Sequence, residues 1–149
     1  MTTNEILARQ NFITKIPFKN GEETISKDLK VKIMSMRIDY SKVRKSFDED
    51  VQEFIKGVTP EGFSELQQKQ DKTKEDEQKI QEMINKINSE YSSYIQDRGT
   101  KEVDLKEYSL TENEYNEIVG LMPDDDIEIN GQKISSADFL EVMYTLFVA

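Results

Sequence analysis

The chain has 149 residues, 36% of them hydrophobic and 34% charged, with a net charge of -10 at neutral pH. It contains no histidine, cysteine or tryptophan. That removes the usual zinc sites, thiol nucleophiles, histidine-based triads and disulfide frameworks. Carboxylates remain for acid–base work or for holding calcium, but the six glycines are scattered singly and form no phosphate-cradling loop. The composition predicts a protein that is not an enzyme, with no catalytic residues and no cofactor.

The charge is unevenly spread. Residues 1–56 carry 11 basic and 9 acidic side chains, residues 57–99 carry 6 and 9, and residues 100–149 carry 3 and 12. The two ends therefore attract each other or oppositely charged partners. No apolar signal core or membrane-spanning run occurs, so the expectation is a protein not secreted by a signal peptide, with no membrane partner.

In chain order, Thr3 or Asn4 can cap a short first helix carrying Ile6, Leu7, Ile13 and Ile16, which Pro17 ends. A rival reading pairs Phe12–Phe18 with residues 22–25 in a hairpin about Asn20-Gly21. The helix is favoured because the second strand would be very short.

A long second helix begins between Glu22 and Lys27 and runs to Lys56, with Gly57 placed for a left-handed cap. Along it, Leu29, Ile33, Met36, Tyr40, Val43, Phe47 and Phe54 follow a four-three rhythm, broken only at Asp50. Such a repeat puts a narrow apolar stripe on one face, which must find another helix. Tyrosines and phenylalanines at this spacing read as core rather than as a stacking platform for bases.

Val58-Thr59-Pro60-Glu61 predicts a cap with proline in the next helix's first turn, followed by a brief apolar contact at Phe63 and Leu66. Residues 67–79 lack any apolar side chain and read as a solvated connection or as a linker. Thr73 and Asp76 have capping-box spacing, so the third long helix can start there. It repeats the rhythm at Ile80, Ile84, Ile87, Tyr91 and Tyr94 and runs to about Asp97, ahead of Gly99. Two such helices with a short join pack antiparallel. Lys30, Arg37 and Arg44 then share a position beside the seam with no acids across from them. This basic stripe is expected to stay open to another chain or to the acidic C-terminal part. It could also touch phosphates, but the net charge of the whole chain disfavours nucleic acid.

Beyond Gly99, Val103 and Leu105 read as a short strand. Thr111-Glu112-Asn113-Glu114 is a capping box opening a helix with Tyr115, Ile118 and Val119, closed by Gly120 and Pro123. Residues 127–134 alternate apolar residues around Asn130-Gly131, a strong hairpin signal. A calcium loop competes for this stretch. With Gly131 as its turn glycine, Asp126, Glu128 and Asn130 fall at ligand positions, but the closing acid Asp138 comes one residue late, behind Ala137. Ser135 or Ser136 caps a final helix with Phe139, Leu140, Val142, Met143, Leu146 and Phe147.

The segments NEILARQNFITKIPF, SKDLKVKIMSMRIDYSKVRKSFDEDVQEFI and EVDLKEYSLTENEYNEIV together resemble small uncharacterised bacteriophage proteins encoded among virion genes. The resemblance implies a short N-terminal helix, a long charged helical hairpin, and a role as virion component or assembly factor. It carries over no binding or catalytic residue. The ending EINGQKISSADFLEVMYTLF departs from that pattern.

The sequence thus predicts a mainly α protein. A coiled-coil-like antiparallel hairpin region occupies residues 1–99 and a small acidic α/β unit residues 100–149. The expected function is a structural or adaptor protein in a virion or host cytoplasm, whose partners are other virion proteins or copies of itself. A calcium-responsive, EF-hand-like regulator is the alternative.

Overall fold

A computed structural model of the chain describes residues 1–148. The elements, in chain order, are α1 (Thr3–Ile13), β1 (Lys19–Asn20), β2 (Glu23–Thr24), α2 (Lys27–Val58), α3 (Phe63–Gln68), α4 (Lys74–Gly99), α5 (Glu112–Leu121), β3 (Ile127–Ile129), β4 (Gln132–Ile134) and α6 (Ser136–Phe147). The fold is mainly helical, with one long helix and two small antiparallel strand pairs. The chain forms two compact units. One combines Met1–Arg44 with the chain from Glu102 onward, and the other is Lys45–Lys101. The division expected at residue 99 is therefore replaced by one in which the N-terminal region and the C-terminal region share a unit.

The first unit explains that change. Leu29, Ile33, Met36 and Tyr40 of α2 are at most 1% exposed. They belong to one core with Ile6, Ile13 and Ile16 from the N-terminal segment, Ile118 and Leu121 from α5, and Phe139, Met143 and Phe147 from α6. The heptad stripe did need helical neighbours; over its first half those neighbours are α1, α5 and α6. Phe12 stacks on Phe139 at 5.3 Å between ring centroids, and Arg9 lies over the Phe147 ring. Tyr40 meets Tyr108 edge-on.

Capping chemistry sets the helix starts. Thr2, rather than Thr3 or Asn4, caps α1: its hydroxyl accepts from the Glu5 N–H, and the Glu5 carboxylate accepts from the Thr2 N–H. Thr3 is fully buried instead. Thr111 with Glu114 builds the same reciprocal box on α5, and Ser135 caps α6. Gly120 lies inside α5, which ends at Leu121.

The N-terminal region holds a helix and a hairpin, but the strand expected at Phe12–Phe18 is replaced: Phe12 lies in α1, and the paired strands are Lys19–Asn20 and Glu23–Thr24. α1 ends at Ile13, and a two-residue turn with Gly21 at φ 65 joins β1 to β2. The Ile25 N–H bonds to the Phe18 carbonyl, and the Asn20 amide donates to the Leu121 carbonyl at 3.1 Å. These bonds hold a hairpin too short to stand alone. The strand expected at Val103 and Leu105 does not form. That stretch makes a single bridge, Glu102 to Thr2, and the Val103 N–H bonds to the Met1 carbonyl.

In the second unit, the end of α2 lies antiparallel to α4. Phe54 stacks on Tyr94 with 4.1 Å between centroids and 6° between planes, while Arg98 donates to Asp50 at 2.9 Å and lies over Phe47. Gly57 does not cap α2, which continues to Val58; the left-handed glycine is Gly62, at φ 81, and it precedes α3. Pro60 accordingly sits before that helix, and its carbonyl accepts from the Phe63 N–H. The polar stretch forms α3's end, a short connection and the start of α4. There Thr73 and Asp76 make the capping box, and Lys69 bridges to Asp76 at 2.8 Å.

Candidate interaction surface

The heptad residues form two groups rather than one continuous seam. Leu29, Ile33, Met36 and Tyr40 are interior to the first unit, and Val43 packs partly buried against that core. Phe47, Phe54, Ile80, Ile84, Ile87 and Tyr94 lie in the second unit and are all only half-buried, while Tyr91 is exposed. Val51 is the buried large apolar residue of this unit among the described residues. Neither α3 nor α4 buries an apolar side chain completely. The hairpin is therefore a thin amphipathic structure with its apolar line partly open to water.

Two residues of the basic stripe, Arg37 and Arg44, are consumed inside the first unit. Arg37 donates to the Ile13 carbonyl at 3.1 Å and the Ile16 carbonyl at 2.6 Å, and it stacks over Phe18 at 4.6 Å. Those carbonyls belong to the end of α1 and the turn after it, where helical partners have run out. Burial holds the Arg37 guanidinium below its usual pKa. Arg44 donates to the side chains of Gln10 and Asn11. Lys30 also lies over the Phe18 ring, at 5.6 Å, and is exposed. The expected opening of all three toward another chain is thus corrected for Arg37 and Arg44. Main-chain and amide oxygens of α1, which carry no formal charge in the sequence, are their partners.

Acidic residues of α5 also reach α2. Glu114 accepts from Lys32 at 2.8 Å and from the Thr111 N–H at 2.9 Å. Burial alone would raise its pKa, but these two bonds hold it below the usual carboxylate range. Glu117 accepts from the Ser26 N–H and hydroxyl. Tyr108 donates to Asp39 at 2.7 Å, and that bond raises the phenol's pKa.

The stretch tested as a calcium loop is a β-hairpin. Ile127 pairs with Ile134 and Ile129 with Gln132, and the connecting Asn130 and Gly131 both have positive φ, 52 and 77. Asn-Gly suits this two-residue turn because both positions need left-handed backbone. Asp126, Glu128 and Asn130 consequently run along a hairpin instead of converging in a loop, and among the described residues no three acidic groups cluster to hold a metal ion.

One surface feature escaped the periodicity reading. Val31, Met34 and Ile38 are 56%, 45% and 55% exposed. Their i, i+3, i+7 spacing places them on one face of α2, opposite the buried Leu29–Tyr40 face. The signal was present in the sequence but was outweighed by the longer stripe on the opposite face.

No family model, curated protein or solved structure matches the chain. Among the described residues, no helix is long and apolar enough to cross a membrane.

Proposed function

We propose that this protein is a non-enzymatic structural or adaptor component, of the bacteriophage virion or assembly class that its sequence resembles, acting through helix–helix contacts. The half-buried apolar line of the hairpin carries this reading. Ile80, Ile84 and Ile87 recur at helical spacing without being fully covered by their own unit. Covering a large apolar side chain contributes about 1.5–3 kcal/mol before ordering costs, so a further helix laid on this line would be held. Such a partner is another virion protein or a second copy of the chain.

The test is hydrogen exchange across residues 80–94, for the protein alone at rising concentration and with the proteins encoded beside its gene, paired with mass measurement by light scattering. The reading expects slowed exchange in that segment together with a mass above the monomer. It also expects both to be lost in Ile84→Asp with Ile87→Asp. A chain that stays monomeric in every mixture, with unchanged exchange in residues 80–94, would overturn it.

A further inference from the structure

Phe18, at the foot of the β1–β2 hairpin, lies under two cations of α2: Arg37 is 4.6 Å and Lys30 5.6 Å from its ring centroid. Together with Lys19, Thr24, Ile25 and Lys27, Phe18 and Lys30 line a groove of about 520 Å³, the scale of a site for a few side chains. Local geometry brings the three lysines to it. Lys27 and Lys30 are nearly one turn apart on α2 and share a face. Lys19 stands opposite Thr24 across the hairpin, so those two side chains lie on one face of it. Ile25 is buried beneath, and the methylene stems of the lysines extend the apolar lining.

These lysines differ from Lys32, Lys42 and Lys69, each of which has a carboxylate of the chain within ion-pair distance. Among the described residues, Lys19, Lys27 and Lys30 form no ion pair. The acids that could have served them are placed elsewhere. Glu114 and Glu117 of α5 are engaged by Lys32 and by Ser26. Glu23 pairs with Asn20 and lies on the other face of the hairpin, where the Asn20 amide reaches the Leu121 carbonyl. Asp28 is about 100° round the helix from Lys27, on the side away from Lys30. Glu22, in the hairpin turn, forms no ion pair either. Three cations thus border an aromatic and aliphatic floor without a paired acid, in a chain whose net charge is -10.

We infer that this groove binds an acidic segment of a partner protein. Carboxylates of that segment meet Lys19, Lys27 and Lys30, and an apolar side chain between them packs against Phe18 and the lysine stems. Two features favour a protein segment over a phosphate polymer or an anionic membrane. The apolar floor rewards covering by an apolar side chain, which a phosphate backbone does not carry. A duplex or a bilayer would also extend past the groove onto Glu22, Glu23 and Asp28, whose charges repel it. The groove belongs to the first unit, so the inference does not rest on how the hairpin of the second unit is used.

The probe is a labelled synthetic peptide with one phenylalanine flanked by two glutamates on each side, titrated with the full chain and followed by fluorescence anisotropy. Lys19→Gln with Lys27→Gln and Lys30→Gln should weaken its binding about tenfold. Raised salt should weaken binding to the unaltered chain. The control removes the same charge elsewhere: Lys72→Gln with Lys79→Gln and Lys86→Gln should leave binding unchanged. All six side chains are exposed, so circular dichroism should match in the three proteins. Glutamine in place of the peptide's glutamates should abolish binding, and serine in place of its phenylalanine should weaken it. A peptide that does not bind, or that both triple variants weaken equally, would overturn the inference. So would tighter, groove-lysine-dependent binding of oligothymidylate or of phosphatidylglycerol vesicles, which would give the groove to phosphate. A mass by light scattering that falls in the groove variant alone, with no peptide present, would give it to a second copy and overturn the inference equally.

Discussion

Arg37 donates from one guanidinium to the carbonyl oxygens of both Ile13 and Ile16, closing the end of α1 with a side chain from α2. This arrangement turns a residue that flanks an apolar stripe into the tie between two helices. Removing it takes the charged donor from both carbonyls, leaving that of Ile13 only its 3.5 Å bond from the Ile16 N–H, and lifts the guanidinium off the Phe18 ring. Arg37→Ala should lower unfolding free energy by about 1.5–3 kcal/mol, the range for hydrogen bonds to a charged group. Arg37→Lys should recover only part, because an ammonium lacks the planar fork. Urea denaturation measures both; equal stability of Arg37→Ala and the unaltered chain would show that the tie is dispensable.

The two halves of the heptad stripe should respond differently to truncation. Ile33 is fully buried, so Ile33→Ala should cost about 2–4 kcal/mol through lost transfer energy and the cavity left behind. Ile87 is half-buried, and Ile87→Ala should cost about 1 kcal/mol or less in the isolated chain. Thermal unfolding of the two variants decides the matter. Equal losses would mean that the stripe behaves as one continuous seam.

Acid should weaken specific capping bonds in a defined direction. Asp76 accepts from Lys69 and from the Thr73 N–H, and these bonds lower its pKa to about 2. Glu114 is likewise held below the usual carboxylate range, burial being outweighed by Lys32 and Thr111. A folded-state pKa below the unfolded one means stability that is whole above the unfolded value and lost as pH falls through the folded one. For Asp76 that loss runs from about pH 4 down to about 2. Stability measured against pH should therefore fall less steeply in Asp76→Asn with Glu114→Gln than in the unaltered chain. Parallel curves would remove these two carboxylates from the acid response.

Phe54 and Tyr94 offer a direct measure of hairpin pairing. Their rings stack almost parallel, and aromatic pairs contribute about 0.5–1.5 kcal/mol beyond burial. A double-mutant cycle with Phe54→Leu and Tyr94→Leu should return a coupling of about 1 kcal/mol. Independent, additive losses would place the two rings apart in solution.

Much of this architecture was legible from local rules. The Thr111–Glu114 and Thr73–Asp76 boxes, the Ser135 cap and the Asn130-Gly131 hairpin were readable because each is decided within four residues by backbone donors that need a partner. The antiparallel order of α2 and α4 was readable from periodicity and a short join. What periodicity could not provide was the identity of the covering element. Leu29, Ile33, Met36 and Tyr40 demand an apolar neighbour, and α4, α5 and α6 all offer one at the same spacing. Arg37 and Arg44 escaped for a related reason: their acceptors are carbonyl and amide oxygens of α1, so a search for opposite charges across the seam had nothing to find. Gly57 and Gly120 were read as helix stops from residue type alone. Each sits inside its helix instead, at a conformation that any residue can adopt.

The hairpin at Asn130-Gly131 gives the last prediction, because it separates backbone strain from side-chain contact. Gly131 sits at φ 77, and a methyl group there would have nothing within 4 Å to strike. Any loss on Gly131→Ala must therefore come from the left-handed backbone, which a β-carbon disfavours by about 1 kcal/mol or more. Gly120→Ala is the matched control, since that glycine lies within α5 with equally open surroundings. There the change should stabilise by about 0.5–1 kcal/mol, by limiting the freedom of the unfolded chain. Opposite signs for two identical substitutions are the expected result of chemical denaturation. The same sign at both positions would mean that the turn between β3 and β4 is not held in its left-handed form.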